Sequence, residues 1–143
     1  MGLYLAIAKH TEKLVQDQFG NYIVQHALET SPNKVKEMVK LNMLGKFVAY
    51  SKQKFSSNVV EKCLKVSDAK WQRNIVRELI FFPWELINDK YGNYCLQTAL
   101  SVCDKDLCEE FAKAVYPSLS RLRENVKVKW VNLLEAAKLK HQN

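Results

Sequence analysis

The sequence predicts an all-α fold, a solenoid built from repeats of three helices. The main observation is a segment that recurs without a gap every 36 residues, as DQFGNYIVQHAL (17–28), QKFSSNVVEKCL (53–64) and DKYGNYCLQTAL (89–100). The second is that apolar residues inside each copy follow helical spacing, and the third is that the connecting segments keep apolar positions at the same period. A repeated unit of this length cannot bury its apolar face alone, so the copies are expected to stack.

The first helix of each repeat carries the recurring segment. Apolar positions fall 4, 5, 8 and 9 residues after an aromatic residue, which is one stripe of an amphipathic helix rather than the alternation of a strand. These positions are Ile23, Val59, Cys95; Val24, Val60, Leu96; Ala27, Cys63, Ala99; and Leu28, Leu64, Leu100. The aromatic residues themselves, Phe19, Phe55 and Tyr91, are interpreted as packing between repeats.

A second helix is predicted after each first one. Its repeated apolar positions are Val35, Trp71, Leu107; Val39, Ile75, Phe111; and Met43, Leu79, Val115. Asp68 and Asp104 are expected to cap two of these helices, and Ser31 the other, with Pro32 in the first helical position. A short third element, GKFVAYSK (45–52) or FPWELIND (82–89), leads into the next repeat.

The predicted repeats cover residues 9–44, 45–80 and 81–116, and residues 117–143 form a terminal cap. Since the opening residues supply only one helix in front of the first repeat, an exposed apolar face is expected there. The whole chain, residues 1–143, is therefore interpreted as the C-terminal fragment of a longer array that self-associates through this end.

Three polar triads stand at the same place in each repeat and do not fit a core. They are Asn21, Tyr22, Gln25; Ser57, Asn58, Glu61; and Asn93, Tyr94, Gln97. The first and last members are four residues apart, so their side chains lie one helical turn apart on the same face. Stacked repeats would align the triads as a ladder along one surface.

The triads have the chemistry needed to read single-stranded bases. The amides of Asn and Gln match the alternating acceptors and donor of uracil, whereas the Glu61 carboxylate accepts from the adjacent donors of guanine. Tyr22 and Tyr94 offer stacking faces, and Asn58 offers a smaller one. Four nearby lysines are candidates for phosphate contacts, or else belong to a solvated face: Lys52, Lys54, Lys62 and Lys90.

Composition narrows the alternatives. The formal net charge of +7 suits a polyanionic partner. The four cysteines form no C-x-x-C pair, which predicts free thiols in a reducing compartment and no metal or other cofactor. We expect no membrane span and no enzymatic activity, because there is no run of 18 apolar residues, no Gly-rich phosphate loop and no nucleophile with a base at suggestive spacing.

The three segments DQFGNYIVQHALE, KFSSNVVEKCLK and DKYGNYCLQTAL resemble the last three repeats of the Pumilio (PUF) family, over nearly the whole chain. The resemblance implies a right-handed, armadillo-like superhelix that reads one base per repeat, which is that family's known code. Asn and Gln with a stacking Tyr would read uracil, and Ser and Glu with a stacking Asn would read guanine. Since the family binds RNA antiparallel to its repeats, the implied target is 5′-UGU-3′.

The same resemblance implies a wider biological role. Family members act in the cytoplasm on the 3′ untranslated regions of mRNA, where they repress translation or promote decay. It also implies corepressor or deadenylase proteins as partners on the convex face. The alternative is a solenoid of the HEAT or armadillo kind that binds a protein, which explains the periodic core but not the triads, and which predicts no preference between UGU and CCC.

Overall fold

The computed structural model describes residues 2–142, which form eleven α-helices and contain no β-strand. The helices are α1 (Gly2–Lys9), α2 (Thr11–Val15), α3 (Gly20–Thr30), α4 (Asn33–Met43), α5 (Phe47–Ser51), α6 (Ser56–Val66), α7 (Ala69–Phe81), α8 (Pro83–Ile87), α9 (Gly92–Ser101), α10 (Lys105–Leu119) and α11 (Glu124–Lys140). None of the helices in residues 2–142 is long and apolar enough to cross a membrane.

Helices α2 to α10 form three similar triplets. Each consists of a five-residue helix, a helix of ten or eleven residues that carries a triad, and a helix of 11 to 15 residues. We call α3, α6 and α9 the triad helices; they pack side by side, α3 against α6 and α6 against α9. The predicted all-α solenoid is confirmed.

The core follows the predicted apolar positions. The predicted apolar positions of the second helices, from Val35 in the first repeat to Val115 in the third, are all buried. The predicted apolar positions of the triad helices are also buried, with one exception. The exception is Ile23, which is 46% exposed although Val59 and Cys95 at the same position are fully buried. Those two are covered by the preceding triad helix: the Cys95 thiol, for example, donates to the Ser57 carbonyl 3.4 Å away.

The aromatic residues in front of the triads differ from the prediction. Phe19 is 71% exposed, so its interpretation as a packing residue is wrong. Phe55 and Tyr91 are half-buried. The difference has the same cause as for Ile23, because within residues 2–142 no earlier triad helix lies against this face of α3.

Two of the three predicted caps are present. The Asp68 carboxylate accepts from the backbone amide of Trp71, and the Asp104 carboxylate from that of Leu107, both at 2.9 Å. The prediction for Ser31 is wrong. Pro32 occupies the cap position and α4 begins only at Asn33, so the Ser31 side chain lies too far back to reach the first helical amides.

The end of the chain departs from the repeat. Helix α11 packs on α10, and Trp130, 36 residues after Tyr94, is buried with its ring stacked on Phe111 at a centroid distance of 6.3 Å. The four cysteines are buried free thiols, as predicted. Burial of the Cys63 side chain disfavours its charged form and raises its pKa to about 12. The thiol therefore stays protonated and unreactive.

Candidate nucleic-acid interface

The outer triad helices, α3 and α9, are each preceded by an aspartate three residues before the first helical residue, and its carboxylate accepts hydrogen bonds from the backbone. The Asp17 carboxylate accepts from the amides of Phe19 and Gly20 at 2.9 and 2.7 Å. Asp89 does the same for the amides of Tyr91 and Gly92. The amides of Gly20 and Phe19 lower the pKa of Asp17, because they bind its charged form. This carboxylate stabilises the helix end just before the triad.

A close approach of the backbone explains the glycine at the start of α3. A Cβ atom on Gly20 would lie 2.6 Å from the carbonyl oxygen of Leu14. The middle repeat has Gln53 in the position of the acid and Ser56 in the position of the glycine. There the Ser56 hydroxyl donates to the Tyr50 carbonyl at 2.7 Å, so the start of α6 is stabilised differently.

In the outer repeats a chain of hydrogen bonds orients the last residue of the triad. The Asn21 side-chain amide donates both hydrogens, to the carbonyls of Asp17 and Gln18 at 2.9 and 3.0 Å. Its oxygen then accepts from Nε2 of Gln25 at 3.0 Å. The carbonyl oxygen Oε1 of Gln25 and one Nε2 hydrogen are left for a ligand.

The third repeat has the same chain. Asn93 donates to the carbonyls of Asp89 and Lys90 at 2.8 and 3.2 Å, and accepts from Gln97 at 3.1 Å. A backbone carbonyl can accept only from the NH₂ group of an Asn side chain, so the backbone contacts fix which way each Asn amide is turned. The Asn oxygen in turn accepts only from the NH₂ group of Gln, which fixes which way each Gln amide is turned.

This arrangement gives the first triad residues a role that the sequence did not predict. Asn21 is 0% exposed, and both of its amide hydrogens are bound to the backbone. Ser57 is likewise buried and donates to the Lys54 carbonyl at 3.2 Å. In this structure Asn21 orients Gln25 rather than facing the groove, and Gln25 is the residue whose polar atoms remain available to a ligand.

The last residue of the middle triad is oriented from the next repeat. The Glu61 carboxylate accepts at Oε1 from the Thr98 hydroxyl on α9, with a distance of 2.6 Å. Sequence reasoning missed Thr98. The available signal was its position directly after Gln97, equivalent to that of Lys62 after Glu61. Lys62 also reaches back to the preceding repeat, where it pairs with Glu29.

The predicted stacking residues lie on the surface beside these groups. Tyr22 and Tyr94 are 65% and 56% exposed, and Asn58 is exposed as well. Between the first two triads lies a cavity of about 290 Å³, which we call the triad cleft. It is lined by Tyr22, Gln25, Asn58, Glu61, Lys62 and Lys65. The structure therefore brings together residues that the sequence predicts for stacking and base contact in two consecutive repeats.

The predicted phosphate-contacting lysines have varied surroundings. Lys52 pairs with Glu85 at 3.2 Å and Lys62 with Glu29, so part of their charge is already compensated. The ammonium groups of Lys54 and Lys90 lie 5.6 and 5.1 Å from the ring centroids of the neighbouring Phe55 and Tyr91.

Lys65 is a further cationic residue of the triad cleft that sequence reasoning missed. Within residues 2–142 no carboxylate oxygen lies within 4.0 Å of its ammonium group, so its charge is available to an anionic ligand. At the other end of the ladder, the Lys129 ammonium lies 5.7 Å from the ring centroid of Tyr94.

Comparison with known proteins identifies the class. A family model described as the Pumilio-family RNA binding repeat matches residues 10–39, 46–80 and 84–112. Pumilio homolog 12 of Arabidopsis thaliana is 37% identical over 121 residues, which is 83% of this chain and 20% of that protein. A Pumilio domain-containing protein of Schizosaccharomyces pombe is 39% identical over 120 residues, 79% of this chain and 17% of the other. The chain belongs to the Pumilio (PUF) family and spans about a fifth of the length of these relatives.

Solved structures agree with this assignment. The Puf4 RNA binding domain bound to an HO endonuclease RNA 3′ UTR recognition sequence is 29% identical, with a TM-score of 0.72 over 89% of this chain and 43% of the other. PUF-8 in complex with PBE-RNA has a TM-score of 0.86 over 95% of this chain and 42% of the other. At 23% identity, the second comparison supports the shared fold.

Proposed function

We propose that this chain binds single-stranded RNA sequence-specifically and reads 5′-UGU-3′ with its three triads. The observation that carries the proposal is the pair of oriented amides on either side of one carboxylate, with exposed stacking residues between them. The family description and the RNA-bound relatives support RNA as the ligand.

The outer triads favour uracil because of how their glutamines are held. Oε1 of Gln25 or Gln97 is free to accept from N3–H of uracil, and the second Nε2 hydrogen is free to donate to a uracil carbonyl. Cytosine requires the opposite orientation, since its N3 is an acceptor and its N4 a donor. Reversing the glutamine amide would break its hydrogen bond to Asn21 or Asn93.

The middle triad favours guanine because Glu61 has only acceptors. Its two oxygens match N1–H and the exocyclic amine of guanine. Uracil offers the carboxylate only one donor, N3–H, and places a carbonyl oxygen against its second oxygen, where no hydrogen bond can form. Since the family binds RNA antiparallel to its repeats, α9 would take the 5′ uracil, α6 the guanine and α3 the 3′ uracil.

The proposed biological role extends the RNA binding that the relatives support. The Puf4 domain is bound to a 3′ UTR sequence, and we propose that this protein acts in the cytoplasm on 3′ untranslated regions of mRNA. Translational repression or mRNA decay would follow through corepressor or deadenylase proteins on the convex face. We propose no catalytic activity.

We expect this 143-residue chain to bind weakly by itself. Three base contacts at about 1–3 kcal/mol each must offset an association cost of about 4–15 kcal/mol.

We also propose self-association through the exposed apolar residues near α1 and α3, including Leu3, Phe19 and Ile23. Sedimentation velocity at rising concentration would test this, and a strictly monomeric profile would contradict it.

The deciding experiment measures fluorescence anisotropy with labelled UGU, UUU and CCC oligonucleotides at low salt. The wild type should prefer UGU, and the Ser57→Asn plus Glu61→Gln variant should shift its preference to UUU by about tenfold. A protein-binding solenoid would show no difference between UGU and CCC. Unchanged preference in the variant would rule out the proposed reading of the central base.

A further inference from the structure

We propose that Thr98 is a specificity-determining residue for the central base, because its hydroxyl holds the Glu61 carboxylate in the orientation that accepts guanine. The reading of that base is then shared by α6 and α9, rather than belonging to one repeat. This inference rests on the proposed function, since it concerns the same interface.

The contact has the geometry of a strong hydrogen bond. The distance from the Thr98 hydroxyl to Oε1 of Glu61 is 2.6 Å, which is in the range of hydrogen bonds from a hydroxyl to a carboxylate. Such hydrogen bonds are shorter and stronger than those between two neutral groups. Both residues are half-buried, so water competes less for the carboxylate than on an open surface.

Fixing the carboxylate before RNA arrives favours binding. A free glutamate side chain loses rotamer freedom when it is ordered, and this loss opposes binding. If Thr98 has already ordered Glu61, this cost falls on folding instead of on association, and affinity for guanine rises. Uracil at the same place gains less, because it has one donor, N3–H, where guanine has two, and its carbonyl oxygens find no donor on the carboxylate.

Thr98 leaves the reading capacity of Glu61 intact. A carboxylate has about four positions for donors, and one hydroxyl occupies one of them, on Oε1. Each oxygen can still accept from one guanine donor. The hydroxyl is also neutral, so it does not compensate the negative charge that attracts the guanine N–H groups.

The equivalent positions of the other triads have different chemistry. Lys62 follows Gln25 at the same sequence spacing at which Thr98 follows Glu61, and the Lys62 ammonium is paired with Glu29. The residue 36 positions after Thr98 is Leu134, a buried apolar side chain of α11. Of the three triads, the carboxylate one alone has a hydroxyl at this spacing.

The test compares Thr98→Val, which keeps the shape and removes the donor, with Thr98→Ser, which keeps the donor. Affinities for UGU and UUU oligonucleotides are measured for both variants and the wild type. We expect Thr98→Val to lose about tenfold in the UGU-to-UUU ratio, and Thr98→Ser to stay near the wild type. Thermal unfolding is followed in parallel, to confirm that each variant remains folded.

A second cycle separates positioning from packing. In a Glu61→Ala background, Thr98→Val should leave the UGU-to-UUU ratio unchanged, because the group that it orients is gone. An unchanged UGU-to-UUU ratio for Thr98→Val in the otherwise wild-type chain would overturn the inference, whether the affinity for both oligonucleotides falls equally or does not fall at all. If the wild type itself does not prefer UGU to UUU, the proposed function fails first and this inference fails with it.

Discussion

The middle repeat and the two outer repeats present their triads from equivalent helices, yet they orient the reading side chain in different ways. In α3 and α9 the orientation comes from within the helix, through Asn21 to Gln25 and Asn93 to Gln97. In α6 it comes from the following repeat, through Thr98. The glutamine of each outer triad is thus oriented within its own repeat, whereas the glutamate of the middle triad is oriented by the following repeat.

The largest expected effect concerns how the triad helices begin. Gly20→Ala should lower the free energy of unfolding by about 1–3 kcal/mol, because the new Cβ meets the Leu14 backbone and cannot be accommodated by a rotamer change. The gain in helix propensity, about 0.5–1 kcal/mol, is smaller. Urea denaturation measures the change.

Gly92→Ala is the matched control for that variant. There the nearest atom is the side-chain Cδ2 of Leu86, at 2.9 Å, which can move away. We expect a smaller loss of stability than for Gly20→Ala. Equal losses would show that the close backbone approach does not distinguish the two outer repeats.

A second variant gives an outer repeat the reading residues of the middle one. Asn93→Ser with Gln97→Glu should move the preference for the 5′ base from uracil toward guanine, as measured with GGU and UGU oligonucleotides. The shift should be several-fold, less than that produced by Glu61, because Leu134 offers no donor at the place of Thr98. A guanine preference as strong as that of the middle repeat would mean that a carboxylate reads guanine without a neighbouring hydroxyl.

A smaller effect is expected from Lys65 in the triad cleft. Lys65→Gln should reduce the slope of log K against log salt concentration by about 0.7, the value for one phosphate contact on a single strand. The UGU-to-UUU ratio should not change, because phosphate contacts carry no sequence preference. Lys113→Gln, at an exposed position on α10, serves as the control and should leave the slope unchanged.

The smallest effect is the pH dependence that Asp17 contributes at the start of α3. The pKa of Asp17 lies below its ordinary value because the amides of Gly20 and Phe19 bind the charged form. Its contribution to stability is therefore present above the unfolded pKa, about 3.9, and is lost as the pH falls through the lower folded pKa. Asp17→Asn should be less stable than the wild type at pH 6, and the difference should shrink by pH 3 in urea denaturation.

The reverse variant tests the same idea in the middle repeat. Gln53→Asp places a carboxylate where α6 has none, and the variant should acquire additional stability at pH 6 that fades in acid. If the variant shows no such gain, the effect of Asp17 depends on the neighbouring Gly20, since α6 has Ser56 in that position.

Much of this molecule was predictable because its sequence repeats. The three aligned segments established the helices, the buried positions and the surface position of Tyr22, Asn58 and Tyr94. The predictions for Ile23 and Phe19 failed because no earlier triad helix in residues 2–142 covers that face of α3. The cap prediction for Ser31 failed because α4 begins one residue later than the Ser-Pro pattern indicates.

The sequence by itself determined the 36-residue period, the stacked all-α architecture and which side chains share a helix face, because those depend on spacing along one chain. The tertiary structure alone decided how those side chains are used. It buried Asn21 against its own backbone, placed the Thr98 hydroxyl on Glu61, and left Lys65 uncompensated in the triad cleft. Those outcomes depend on distances between neighbouring helices and on competition among nearby donors and acceptors, which spacing along the chain does not contain.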